Sequence, residues 1–339
     1  MRIAVDVMGG DFAPTEIVKG AQLYLQNGGK AELILVGKEP AIRKAMPDLC
    51  ENCEIFDTHD YIEMDEAPLQ ALRKKRNASI AVAARLVREK KADALLSAGS
   101  TGAQMAASLL EIGRIPQIER PGISVMLPTT TNESVMLLDV GANVDCRAHH
   151  LFQFALMGAA YYQKICNIDN PKVAILSIGH ESSKGNELTR NTHNLLAESS
   201  LNYIGNVEAD NLYKGHAHVV VCDGFVGNVL LKASESLSEI IQGKFFHAAS
   251  LAELPGETLA KLKSGMKKFS HDAPEYSAAP LLGINGVSVV CHGKSKAPVI
   301  ANALTLACSY ASTGVVDLIQ DNIQREGTGA SEQDTDSKG

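Results

Sequence analysis

The residues best suited to chemistry gather at glycine-rich junctions, and the fullest of these is VVVCDGFVGNVLLK at residues 219–232. Asp223, Gly224, Gly227 and Asn228 permit a tight turn and a close backbone approach. The apolar-periodic run from Val229 makes that turn feed a helix start. The first N–H groups of a helix lack carbonyl partners and carry the positive end of its dipole. Lys232, about one turn further on, adds a full positive charge. An anion suits this junction, phosphate best of all. GSTGA at Gly99–Ala103 repeats the arrangement between a strand and a helix, with an ordinary βα turn as the alternative reading. Lys184 in SSKGNELT, beside Gly185 and Asn186, either neutralises a phosphate or a developing oxyanion or is a solvated loop lysine. His292 ends an apolar strand beside Gly293 and is a candidate acid/base or hydrogen-bonding group. Asp6, Asp11, Asp139 and Asp223 all fall at strand ends, the first two flanking Gly9 and Gly10. Short carboxylates there cap loops or position substrate more readily than they build a divalent-metal site.

Other chemistries find no signature. There is no GxGxxG for a dinucleotide. GKS at Gly293–Ser295 imitates the end of a P-loop, but Ser288 stands where its first glycine belongs. His149-His150 and the pair His216 and His218 lack the spacing and glutamate of a zincin and read as surface histidines. No GxSxG elbow or Cys/His pattern offers a covalent nucleophile.

Positioning these residues falls to short apolar runs that alternate with helical patterns, the mark of stacked βαβ units. Strands are expected at Arg2–Val7, Leu33–Val36, Glu54–Phe56, Asp93–Ser97, Ile123–Leu127, Val135–Val140, Lys172–Ile178, Asn202–Val207, Val219–Val221 and residues 287–292. Helices are expected between them, among them one from Pro14, one capped by Asn77, His149–Ile165 and 297–325. The strand ends MGGD, GSTG, DVGAN, IGHESSKGN, CDGFVGN and CHGKS would line one crevice, as in an open parallel sheet. Residues 1–325 read as one α/β unit with a helical excursion near 229–270, followed by a polar, disordered tail at 326–339.

With 339 residues the chain can bury a large core, and its net charge of −7 argues against a general nucleic-acid binder. The start MRIAVDVMGG lacks a signal-peptide apolar region, no window approaches the roughly 18 apolar residues of a membrane span, and the seven cysteines are scattered. A cytoplasmic protein with reduced thiols is the expectation. Arg73, Lys74, Lys75 and Arg76 put positive charge just before a helix N-terminus, where the dipole disfavours it. That conflict points to docking of an acidic partner, with a solvated basic loop as the alternative. The lysine-rich stretch 245–269 could pack on a second subunit, bind a partner or touch an anionic membrane.

Taken in order, MRIAVDVMGGDFAP, AGSTGA, LLDVGANVDC with LFQFALMG, KGNELT, NVEA, VCDGFVGNVLLK and the late CHG resemble the phosphate acyltransferase family of bacterial phospholipid synthesis (PlsX). The likeness covers about residues 1–310. Two places depart from the family pattern. Arg147-Ala148-His149 stands where a proline is common, and Tyr276-Ser277-Ala278-Ala279 stands where a glycine pair is usual. The resemblance implies transfer of acyl groups from acyl carrier protein to inorganic phosphate, feeding a downstream acyltransferase that uses acyl phosphate. It also implies a homodimeric three-layer α/β/α sandwich with a mostly parallel sheet, like isocitrate dehydrogenase and the phosphotransacetylases, and peripheral contact with the membrane. Phosphate is then itself the nucleophile, so neither a protein nucleophile nor a cofactor or metal is required. On this reading Ser100, Thr101, Gly102, Gly224, Asn228 and Lys232 hold phosphate. Lys184, Asn186 and Asn143 serve the thioester oxygen or the transferring group, and His292 is the acid/base candidate. The rivals are an acyl-coenzyme A phosphotransacylase, an NAD(P)-dependent decarboxylating dehydrogenase and a non-catalytic carrier-binding protein.

Overall fold

Runs of β-branched and aliphatic residues make the strands, and each is followed by a segment with helical periodicity. The computed structural model describes residues 1–131, 133–252, 254–267 and 278–333. In chain order these give β1 (Arg2–Asp6), α1 (Thr15–Gln26), β2 (Glu32–Gly37), α2 (Glu39–Ala45), β3 (Cys53–Asp57), α3 (Pro68–Lys74), α4 (Ser79–Arg88), β4 (Ala94–Ser97) and α5 (Thr101–Ala107). α5 passes into a π-helical turn at Ser108–Ile112. Next come β5 (Gly122–Pro128), β6 (Ser134–Leu138), α6 (Ala148–Ile165), β7 (Val173–Leu176), α7 (Glu187–Ala197), β8 (Tyr203–Val207), α8 (Ala209–Leu212), β9 (Val219–Val221) and α9 (Gly224–Leu251). α10 (Gly256–Lys267), β10 (Ala278–Leu282), β11 (Val287–Cys291), α11 (Ala297–Ser312) and α12 (Val315–Gln333) complete the described chain.

The strands join one sheet in the order β3-β2-β1-β4-β11-β10-β5-β6-β9-β7-β8. Neighbours are parallel except in the middle, where β10 is antiparallel to both β11 and β5, and β5 is antiparallel to β6. Strand direction therefore reverses across the centre. β1, β2, β3, β4 and β11 point one way, while β6, β9, β7 and β8 point the other. Helices α1, α11, α6 and α12 bury their apolar sides on one face, with Tyr161 of α6 and Tyr310 of α11 edge to face at 5.5 Å. On the other face α4, α5 and Leu230 and Leu231 of α9 pack against Leu95, Leu137 and Val220. Each such side chain contributes about 1.5–3 kcal/mol by leaving water. The result is the expected three-layer α/β/α sandwich, with α9 and α10 forming the helical excursion.

Several local expectations change. AAPLL carries two alanines and a proline, poor strand formers, so its pattern does not announce β10. Pro280 is accommodated because β10 changes partner there, its first three residues pairing with β11 and its last two with β5. Asn77 does not cap α4, whose cap position is Ala78; the Asn77 carbonyl instead accepts the Thr58 hydroxyl. The last predicted helix is two, broken at Thr313–Gly314, where Gly314 takes φ +68°. α12 runs past the expected start of the tail to Gln333, and residues 334–339 lie outside the described residues. So does 268–277, which holds the end of the lysine-rich stretch and Tyr276-Ser277.

Candidate active site

The reversal of strand direction overturns one expectation directly. The glycine-rich strand ends do not share one edge of the sheet; they form two rims at opposite edges.

The first rim joins the ends of β1, β4 and β11. Asp6 is buried, its Oδ2 accepting from Ser97 Oγ at 2.7 Å and its Oδ1 from the Met8 N–H at 3.2 Å. Burial pushes its carboxyl above the ordinary value, against the pull of the Ser79 and Ser97 hydroxyls. Gly10 takes φ +113°, and a Cβ there would lie 3.0 Å from the Ala98 carbonyl oxygen and 3.2 Å from that of Gly293. The Asp11 N–H donates to the Gly293 carbonyl at 2.9 Å, so MGGD, AGSTG and CHGKS are knit together. Gly9 lies within this knot, its backbone against Gly99. Thr101 opens α5 after Ser100, and the N–H groups of its first turn have no carbonyl within helix geometry. Gly102 packs under Pro68 of α3. At the end of β11, His292 Nδ1 accepts the Lys294 N–H at 3.2 Å, which leaves the proton of the neutral ring on Nε2.

The second rim joins the ends of β6, β9 and β7. Asp139 is fully buried. Its Oδ1 accepts from the N–H groups of Ile123, Gly141 and Ala142 at 3.2, 3.1 and 2.9 Å, and its Oδ2 from Asn143 N and Nδ2 at 2.7 and 2.9 Å. Burial pushes this carboxyl up, and the donated hydrogen bonds oppose the push. Asn143 Nδ2 also donates to the Pro121 carbonyl at 2.7 Å, so its amide nitrogen is engaged within the loop. A Cβ on Gly227 would overlap the Asp139 carbonyl oxygen, which is why glycine stands there. Asp223 caps α9 by accepting the Val226 N–H at 2.9 Å, and the Gly224 N–H donates to the Asn143 carbonyl at 2.7 Å. The start of α9 therefore has much of its donor capacity in use. Asn186 caps α7, accepting the Thr189 N–H at 2.9 Å. Lys184 is exposed in the loop after β7.

Between the rims, over β5 and β10, lies a cavity of about 630 Å³. Its floor is apolar, made by Ile123, Val125, Leu127, Ala279 and Val290, and its walls carry Thr101, Asn228, Lys232, His292 and Lys294. Of the predicted residues, Thr101, Asn228, Lys232 and His292 come together here. Ser100 and Gly102 flank Thr101 in sequence. Asp6, Gly9, Gly10, Asp11, Asp139, Asp223, Gly224 and Asn143 shape the loops behind the rims, and Lys184 and Asn186 stay outside the lining. Sequence reasoning missed Lys294, Ser295, Glu235 and the floor. Lys294 and Ser295 belong to GKS, whose only recognisable signal is the misleading likeness to a P-loop. Lys232 Nζ lies 2.6 Å from Glu235 Oε2, so a neighbouring carboxylate already tempers its charge.

Cys291, in the cavity lining, is 1% exposed, and burial pushes its thiol up to about 12, which keeps it protonated near neutral pH. In the basic cluster, Lys75 donates to Glu66 and, at 2.9 Å, to the Tyr61 carbonyl, while Arg73, Lys74 and Arg76 are exposed. Among the described residues no single helix is long and apolar enough to cross a membrane.

Residues 1–318 match the model of the family described as fatty acid synthesis protein. The chain is 45% identical to the phosphate acyltransferase of Desulforamulus reducens, over 96% of this chain and 98% of that protein. It is 47% identical to that of Heliobacterium modesticaldum, over 95% and 98%. Among solved structures it is similar to a phosphotransacetylase from Streptococcus pyogenes, with a TM-score of 0.61 and 19% identity over 92% of this chain and 94% of that one. A branched-chain phosphotransacylase from Enterococcus faecalis gives a TM-score of 0.58 and 15% identity over 91% and 98%. At that identity the two structures speak for the fold alone. The sequence match spans nearly the whole chain, its glycine-rich rims and the cavity between them, and on that ground the chain belongs to the phosphate acyltransferase family.

Proposed function

We propose that the protein moves a fatty acyl group from the thioester of acyl carrier protein to inorganic phosphate, supplying acyl phosphate for membrane phospholipid synthesis. The observation that carries this reading is the trough itself, an apolar floor joining two polar rims, with the Cys291 thiol in its lining kept protonated by burial. Phosphate is held by the Ser100–Thr101–Gly102 turn, with Asn228 and Lys232 on the α9 wall. One phosphate oxygen attacks the thioester carbonyl carbon and forms a tetrahedral oxyanion. The C–S bond then breaks and the proton of hydrogen phosphate ends on sulfur, so the products are acyl phosphate and free thiol. His292 is assigned a stepwise relay at Nε2, since Nδ1 holds the Lys294 N–H: it gives its proton to the leaving sulfur, and the bared Nε2 then takes the one from phosphate, so the ring ends as it began. Lys184 leaves the same rim as α9, because β7 and β9 are parallel neighbours, and is assigned to the oxyanion. Asn186 and Asn143 act by holding the loops that carry this rim.

The acidic carrier would dock on Arg73, Lys74 and Arg76, since α3 packs over the Thr101 turn through Pro68. The exposed apolar side of α9 supports a homodimer, and the lysines of α10 support peripheral contact with an anionic membrane. The test mixes purified protein, acyl carrier protein thioester and phosphate, and traps product with hydroxylamine. Phosphate-dependent hydroxamate is expected, faster from the carrier thioester than from the coenzyme A thioester. No gain over the enzyme-free rate would end the proposal.

A further inference from the structure

We infer that the sheet face between the two rims is the seat of the substrate's aliphatic chain, and that Val125 and Ala279 set how long a chain it takes. The inference rests on the proposed acyl transfer and adds the subsite. In β5 alternate residues share a face, so Ile123, Val125 and Leu127 all point to the same side of the sheet. They line the cavity at 4%, 8% and 0% exposure. The four residue steps from Ile123 to Leu127 span roughly 13 Å at about 3.3 Å each, far more than a two-carbon acyl group needs. Leu281 lies opposite Ile123, so two residues back along β10 Ala279 comes level with Val125, and Val290 of β11 is the next partner of Ala279. These three meet at the middle of the floor, and a methyl group is the largest side chain β10 presents there.

The helical layer that covers the rest of this face parts over β5, leaving α5 on one side and α9 on the other. A floor of hydrocarbon between walls bearing Thr101, His292, Asn228 and Lys232 fits a ligand with a polar head and a straight apolar tail. Leu231 on the α9 wall adds apolar contact beside the floor.

The experiment measures kcat/KM for acyl thioesters from butanoyl to hexadecanoyl, and separately the binding of dodecanoate by displacement of a fluorescent fatty acid. For the wild-type protein, each added methylene should raise kcat/KM about fourfold until the floor is full, the factor that about 0.8 kcal/mol per buried methylene corresponds to. Val125→Phe and, independently, Ala279→Leu should lower the dodecanoyl-to-butanoyl ratio of kcat/KM at least tenfold and weaken dodecanoate binding. Two substitutions on different strands guard against one that disturbs folding, and melting curves identify it. Variants that melt like wild type yet keep its chain-length profile overturn the inference, as does a wild-type protein that binds no dodecanoate. If no acyl thioester is turned over, the proposed function fails. The subsite is then judged on binding alone, where loss of dodecanoate in both variants supports it.

Discussion

His292 and Lys184 stand in different relations to the cavity, and that difference makes them the sharpest pair of residues to compare. The imidazole lines the cavity with its tautomer set by the Lys294 N–H, so its Nε2–H is available to a reacting group. The general acid/base role proposed for it would be worth about 10²–10⁴ in rate. His292→Ala should lower kcat at least a hundredfold, and His292→Gln, which keeps a donor but cannot exchange a proton, should recover little of it. Full recovery in the Gln variant would reduce the histidine to a hydrogen-bond donor. Lys184 is exposed, so its contribution depends on its loop meeting the substrate. Losing one oxyanion partner costs about 2.7–4 kcal/mol, or 10²–10³ in kcat. We expect at least a tenfold fall for Lys184→Ala with an unchanged melting curve; near-normal turnover would remove Lys184 from the mechanism.

Elements carry a separate, pH-dependent property at the start of α6. The buried His150 accepts the Arg147 N–H on Nδ1 at 3.1 Å and places Nε2 2.9 Å from Glu119 Oε2. Burial lowers its pKa from the ordinary 6.5, although Glu119 pulls the other way. Between the lowered native value and 6.5 the unfolded chain binds more protons than the folded one, so stability rises with pH through that window and is lost on acidification. Urea midpoints should fall from about pH 7 to 5.5, and less steeply in His150→Gln, since only the wild type has this proton to take up. An identical slope in the variant would assign the loss to other groups. None of this network is legible in the sequence, where His149-His150 reads as a surface pair, because Glu119 is remote along the chain. The strands were legible for the opposite reason: triplets such as Val219–Val221 carry their burial in their own composition. β10 was not, because it is held by its partners rather than by strand propensity. Strand direction leaves no mark on a hydrophobic pattern, which is why the six junctions were readable singly and their division into two rims was not.

On the scale of the whole molecule, α9 poses a problem of partnership. It has 28 residues, of which only Gly224, Gly227 and Ala249 are buried, while Leu237, Ile240 and Ile241 are 57%, 55% and 54% exposed. Most helical stability comes from packing an apolar face, and this helix leaves most of its own face uncovered. Val229, Ala233, Leu237, Ile240 and Ile241 follow the spacing of a single stripe, which a twofold-related copy of the same helix would match. The same helix carries Asn228 and Lys232 into the cavity at its first turns, so a contact that steadies the stripe also steadies one wall of the site. Ile240→Lys combined with Ile241→Lys should therefore convert a dimer to a monomer in sedimentation velocity and reduce helical circular dichroism. It should also lower turnover, although both residues lie outside the cavity lining. A wild-type protein that sediments as a monomer, or a double variant that stays dimeric with full helicity, would show that α9 meets some other partner. A monomeric variant with full turnover would separate the interface from the chemistry, leaving the α9 wall to be held by Asp139, Asp223 and Gly227 alone.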